Sequence, residues 1–180
     1  MKKKVTILAI LAMAFALVMA GSAIGKPGNG NGNAGPAEKA TGNVTLYEPW
    51  DGGYRVVDFN AHEEKGVRDA KGMMVDNVYG PDGDMRRLFE YDVEYVNVEG
   101  DYAYFGAKCT YDSGGDSGGD KTGDWLYVVV EDGGTPGMNG DAMGWSWGSE
   151  DQVASWVEND GSTGWWRTPI AGNLVVHTYN

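Results

Sequence analysis

The chain has 180 residues, a net charge of −12 and a single cysteine. One cysteine excludes an intrachain disulfide, and the acidic balance repels phosphate backbones and anionic lipid, which removes nucleic acid and membrane surfaces from the expected partners. Abundant tryptophan, tyrosine and valine in a chain of about one domain's length leave a single apolar core as the source of stability.

The first 23 residues, MKKKVTILAILAMAFALVMAGSA, begin with Lys2, Lys3 and Lys4, continue largely apolar from Val5 to Ala20 and end in small residues. This is the layout of a secretory signal peptide, with cleavage predicted after Ala20 or Ala23 and a secreted, extracellular product. An uncleaved anchor is the alternative, although the apolar run is near the short end for a bilayer span. No cysteine lies near the cut to carry a lipid. Loss of the three lysines takes the net charge from −12 to −15. Beyond this segment no stretch is long and apolar enough for a span, so no membrane insertion is expected after cleavage.

Residues 24–42, IGKPGNGNGNAGPAEKATG, are rich in glycine, asparagine and proline and read as a flexible spacer. From residue 43 to 180 short apolar runs alternate with Gly, Asp and Asn, which is the rhythm of one all-β domain. Strands are predicted over 44–48, 54–61, 71–79, 85–98 with a break, 101–111, 125–131, 142–147, 165–170 and 174–179. In the second, Arg55, Val57, Phe59 and Ala61 share one face. Near Tyr95 the phase slips, since Tyr91, Val93 and Tyr95 are on one parity and Val96 and Val98 on the other; a β-bulge or bend accounts for this. Ala103, Phe105, Ala107 and Cys109 form an inward face, and a buried, inert thiol follows.

The run Trp125 to Val130 is apolar on both parities, which predicts a central strand covered on both faces. Ser149 and Gln152 have the spacing of a capping box, and Val153, Trp156 and Val157 follow at helical spacing. A short helix over 150–158 is predicted, placed to plug one end of a barrel. The stretch Ile170-Ala-Gly172-Asn173-Leu174 reads as the turn of a final hairpin. The predicted fold is therefore all-β, an antiparallel β-barrel or barrel-like sandwich with one short helix.

Aspartates at every fourth position, Asp112, Asp116, Asp120 and Asp124, lie in DSGGDSGGDKTGD. Several carboxylates on a turn suit calcium, which makes these four the candidate metal ligands and structural calcium the one candidate cofactor. The EF-hand order is absent, and a solvated hairpin loop that keeps a strand edge soluble is the simpler reading. Met143, Trp145 and Trp147 share a strand face, as do Tyr102 and Tyr104, while Trp165 and Trp166 point to opposite faces. Flat aromatics on a rigid sheet stack well on sugar rings. Trp145, Trp147, Trp165, Trp166, Tyr102 and Tyr104 are accordingly the candidate ligand-binding residues, and a glycan or other extracellular polymer the candidate partner.

Gly144-Trp-Ser146-Trp-Gly148 matches G-x-S-x-G, with Asp160 and His177 following in the order of a hydrolase triad. That elbow needs a strand-to-helix turn in an α/β chain, whereas this serine falls inside a predicted strand of an all-β domain. A non-catalytic binding module is the preferred function. The alternatives are an extracellular hydrolase using Ser146, Asp160 and His177, and a lipocalin-like carrier with Met143, Trp145 and Trp147 lining an apolar cavity.

Asp132-Gly-Gly-Thr-Pro-Gly137 with Gly140-Asp141, Gly172-Asn-Leu-Val-Val-His177 and Phe59-Asn60-Ala61 resemble phrases of secreted β-domains of bacterial and archaeal surface proteins, similar to the domain that follows choice-of-anchor-P modules. In that family's D-N-G-x-P-G turn the second position is Asn, where this chain has Gly133. The resemblance implies a secreted, mostly antiparallel β-domain and brings no catalytic residues. Locally, Pro136-Gly137 makes a tight reversal with Asp132 and Asp141 placed to accept from backbone donors near it.

Overall fold

The computed structural model describes residues 38–64, 67–115, 118–134, 140–161 and 166–178. The expected signal peptide, most of the expected spacer, Asp116, the expected turn at Pro136-Gly137 and Trp165 lie outside the described residues.

Among the described residues nine strands form one antiparallel sheet: β1 Lys39–Tyr47, β2 Tyr54–Glu63, β3 Ala70–Tyr79, β4 Met85–Glu99, β5 Tyr102–Asp112, β6 Trp125–Glu131, β7 Ala142–Gly148, β8 Trp166–Arg167 and β9 Pro169–His177. Their order is β8-β7-β6-β5-β4-β3-β2-β1-β9, so consecutive strands pair as a meander and the last strand returns to lie beside the first. The right-handed twist of so many strands curls the sheet on itself, giving a nearly closed barrel.

β1 begins at Lys39, so residues 39–42 of the expected spacer are in the sheet, paired with both β2 and β9. A segment poor in apolar side chains can still be a strand when both neighbours supply its ladder, and here Ala40 is fully buried. The expected hairpin turn at Gly172-Asn173 is absent. Those residues are in the middle of β9, opposite Val44 and Asn43. Gly172 has φ +101°, and a Cβ there would stand 1.9 Å from the Asn43 carbonyl oxygen. The glycine permits a close backbone approach beside the register shift between Thr45 and Leu46, rather than a chain reversal.

The barrel interior is filled by one parity of each long strand. Val44 and Leu46, Val57 and Phe59, Met74, Tyr91 and Val93, Phe105 and Ala107, Val128 and Val130, Met143 and Leu174 form one buried cluster. The phase slip in β4 is a bulge: the register against β5 shifts between Val93 and Tyr95. Tyr95 is thereby turned outward onto Trp125, with ring centroids 5.3 Å apart, while Val96 and Val98 remain inside.

β6 is buried on both faces from Trp125 to Val130. Its outer parity, Trp125, Tyr127 and Val129, is covered by α1, Glu150–Glu158, through Val153, Val157 and Trp156. The helix thus packs against the barrel wall and does not plug an end, because the apolar surface that needs covering is on the wall. Ser149 and Gln152 form the expected capping box. Beyond the helix, the Tyr127 hydroxyl donates to the Gly161 carbonyl, and Asn97 donates to the Val157 carbonyl at 3.2 Å and to Asp160 at 3.0 Å.

No backbone ladder joins β9 to β7 or β8 among the described residues. Two aspartates flanking the β6–β7 connection bridge the gap instead. Asp141 accepts from Gly133 N–H at 3.0 Å and Leu174 N–H at 2.9 Å. Asp132 accepts from Gly134 N–H at 2.8 Å and Val176 N–H at 3.0 Å. The edge donors of β9 that would otherwise be unpaired are satisfied by carboxylates.

Candidate functional site

The strand pairing puts Tyr47, Tyr54, Tyr79, Met85, Asp112, Gly148 and Pro169 at one end of the barrel, and Lys39, Ala70, Tyr102, Glu131 and His177 at the other. The first end is open. An inner cavity of about 210 Å³ is lined by Arg55, Val57, Met74, Asp76, Arg87, Phe89, Tyr91, Gly118, Lys121, Leu126, Met143, Trp145 and Trp147. An outer cleft of about 410 Å³ shares Arg55, Trp145 and Trp147 with it and adds Glu48, Trp50, Ser146 and Arg167.

The lining side chains that come from strands are there because of parity, while Glu48, Trp50, Gly118 and Lys121 come from the connections. Met143, Trp145 and Trp147 alternate inward along β7, opposite Val130, Val128 and Leu126 of β6. Arg55 continues the inward face of Val57 and Phe59 toward the mouth, and Asp76 does the same beyond Met74 on β3. A guanidinium and a carboxylate in a barrel interior are costly unless paired. Arg55 meets this by an ion pair on each side, to Glu48 and to Asp76. Those two carboxylates hold its pKa above the usual value against the opposing effect of burial. Burial pushes the Asp76 carboxyl up, against the pull of Arg55. One Asp76 oxygen, Oδ2, is the one that meets Arg55; the other, Oδ1, is buried and accepts no hydrogen bond from the described residues.

The aromatic side chains at the mouth are interleaved with cations. The Arg55 guanidinium is 5.3 Å from the Trp145 ring centroid. Arg167 is 6.0 Å from Trp145 and 5.7 Å from Trp50, and Lys121 Nζ is 5.2 Å from Trp147. Trp147 also leans on Phe89 and Tyr91, each at 6.3 Å. Such contacts add about 0.5–1 kcal/mol each at exposed sites and hold rotamer-rich side chains in place.

The aspartate-rich loop borders this mouth. Arg87 donates to both Asp112 oxygens, at 2.8 and 2.5 Å, and to the Gly119 carbonyl. Asp112 further accepts from Gly114 N–H at 2.9 Å and Lys121 N–H at 2.8 Å. The guanidinium hydrogen bond is the main reason that its pKa falls to about 2. Asp120 accepts from Thr122 N–H at 2.8 Å, and Asp124 pairs with Lys121 at 3.1 Å. Three of the four candidate calcium ligands, Asp112, Asp120 and Asp124, thus have protein partners. Among the described residues no three His, Cys, Asp or Glu side chains gather around a common point.

The five aromatic candidates among the described residues divide into separate groups. Trp145 and Trp147 are at the mouth, with Trp147 37% exposed. Trp166 pairs with Gly144, hence it is on the other face of the sheet. Tyr102 and Tyr104 stack on each other at 6.3 Å beside the outer cluster near α1, and the Tyr102 hydroxyl donates to Glu131 at 2.7 Å. The triad residues are also apart: Ser146 faces outward near the open end, opposite Tyr127, while His177 pairs with Lys39 at the other end and Asp160 bonds Asn97.

Sequence reasoning missed Trp50, Glu48, Asp76, Arg87 and Arg167. The available signal was a charge at an inward parity, Arg55 beside Val57 and Asp76 between Met74 and Val78. Neither family models, curated proteins nor solved structures match this chain. What the fold and site define is a β-barrel with a polar, tryptophan-walled cavity at one end.

Proposed function

We propose that the protein is a secreted, non-catalytic binding domain that takes a glycan at the open end of its barrel. The observation that supports this reading is the shared lining of the inner cavity and outer cleft, where Trp145 and Trp147 stand beside Arg55. Trp50 and Arg167 extend that surface outward, and Asp76 extends it inward. Indole rings supply apolar area at low entropic cost, and paired charges supply both donors and acceptors. A polyhydroxylated ligand uses both at once. A net charge of −12 on the whole chain favours a neutral saccharide over an anionic one.

The lipocalin-like carrier is the weaker reading. Met143, Trp145 and Trp147 do line the cavity, but so do Arg55, Asp76, Arg87 and Lys121, and an apolar cargo would strip water from those charges without replacing its hydrogen bonds.

The test is titration of intrinsic tryptophan fluorescence with neutral gluco-, manno- and galacto-configured oligosaccharides, followed by chromatography of the mixtures for cleavage products. Saturable binding without cleavage, weakened by Trp147→Ala and Trp50→Ala and unchanged by Tyr102→Phe, is expected. Absence of saturation at roughly 10 mM, weaker than any affinity worth about 3 kcal/mol, would overturn the reading.

A further inference from the structure

Resting on that reading of the mouth, we infer that the site recognises the end of a saccharide chain: one terminal unit enters the inner cavity and a hydroxyl of that unit donates to Asp76 Oδ1. Three observations carry this.

The Asp76 side chain is only 6% exposed, and Oδ1 is buried with no donor among the described residues. Leaving a buried acceptor unmet costs on the order of 1–3 kcal/mol, which a ligand donor entering the cavity recovers. The donor is best a neutral hydroxyl. Arg55 already holds the other oxygen of the same carboxylate, so an ammonium would stand beside a guanidinium, and an anion would face the carboxylate itself.

The cavity is also blind. Beyond Val57 and Met74 the barrel is filled by Phe59 and Phe105, whose rings stack at 5.2 Å, and both are essentially without exposed surface. A polymer cannot run through and must present an end. Finally, the volumes are graded, about 210 Å³ inside and about 410 Å³ in the cleft outside, which fits one unit within and its neighbours against Trp50 and Trp147.

The tightest oligosaccharide from the panel is compared by calorimetry with derivatives O-methylated on the non-reducing terminal unit, on the reducing terminal unit, or on an internal unit. Methylation of one terminus is expected to weaken binding about tenfold or more, internal methylation much less, and lengthening beyond three units to add less than about threefold. Asp76→Asn, checked for an unchanged melt, is expected to weaken the free chain while leaving the affinity for the methylated one nearly constant. If Trp147→Ala abolishes binding but both terminal derivatives bind within about twofold of the free chain, end recognition is overturned and the mouth remains the glycan site. If no oligosaccharide binds the intact protein, the inference falls together with the reading beneath it.

Discussion

The Asp141 carboxylate and the backbone N–H of Leu174 meet at 2.9 Å across the gap between the β6–β7 connection and β9. With Asp132 and Val176 as a second such pair at 3.0 Å, side chains complete a barrel whose ladder stops short of closure. Asp141 is 1% exposed, so its removal strands two backbone donors, on Gly133 and Leu174.

Asp141→Ala is expected to cost roughly 1–3 kcal/mol, for the buried Leu174 donor left unmet, with less from Gly133, which is exposed to water. Asp141→Asn keeps one acceptor oxygen and is expected to lose about half as much. Urea denaturation reads this directly, as a lower midpoint at an unchanged slope. A loss below about 0.5 kcal/mol in the alanine variant, the range of ordinary surface substitutions, would mean that the seam is not stabilised by this carboxylate.

Asp112 gives the fold an acid dependence. Arg87, assisted by the N–H groups of Lys121 and Gly114, lowers its folded pKa to about 2 from 3.8. As pH falls the unfolded chain takes up this proton first, so the stabilisation is complete above about pH 4 and is lost as pH falls toward 2. Arg87→Met is expected to lower stability at neutral pH and to flatten the stability curve between about pH 4 and 2. Thermal melts of both proteins across that window test it, and parallel curves would remove the assignment.

Cys109 is 1% exposed, its Sγ lies 3.3 Å from the Tyr111 carbonyl, and burial followed by the Asp112 charge pushes the thiol up to about 11. The thiolate fraction at pH 8 is thus about a hundredfold lower than for an unshifted thiol with the reference value of 9.0. Iodoacetamide at pH 8 is expected to leave the native protein unmodified while labelling it fully in urea, as read by intact mass. Rapid labelling without denaturant would show the strand to be open there.

Much of the barrel was legible because burial imposes simple periods. The β6 run, the Tyr95 slip and the Ser149 capping box all reflect local alternation or spacing. Gly172-Asn173 misled because glycine serves both reversal and close approach, and only the position of Asn43 on a distant strand decides between them. The site was legible in part. Trp145 and Trp147 announced themselves by type, whereas Asp76 looked like one acid among many until its neighbours across the barrel placed it beside Arg55. Trp50 carries no periodic signal, being in a loop, and joins the mouth only through the register of β1 with β2.

Burial of β6 on both faces, by the barrel interior and by α1, fixes how the molecule can open. Its amides are hydrogen-bonded to β5 and β7 under two layers of side chains, so no local fluctuation exposes them without unseating either the helix or the core. Deuterium is expected to enter β6 only through global unfolding. The exchange rate of those few amides is therefore a ruler for the stability of the whole domain, against which any ligand at the mouth can be weighed.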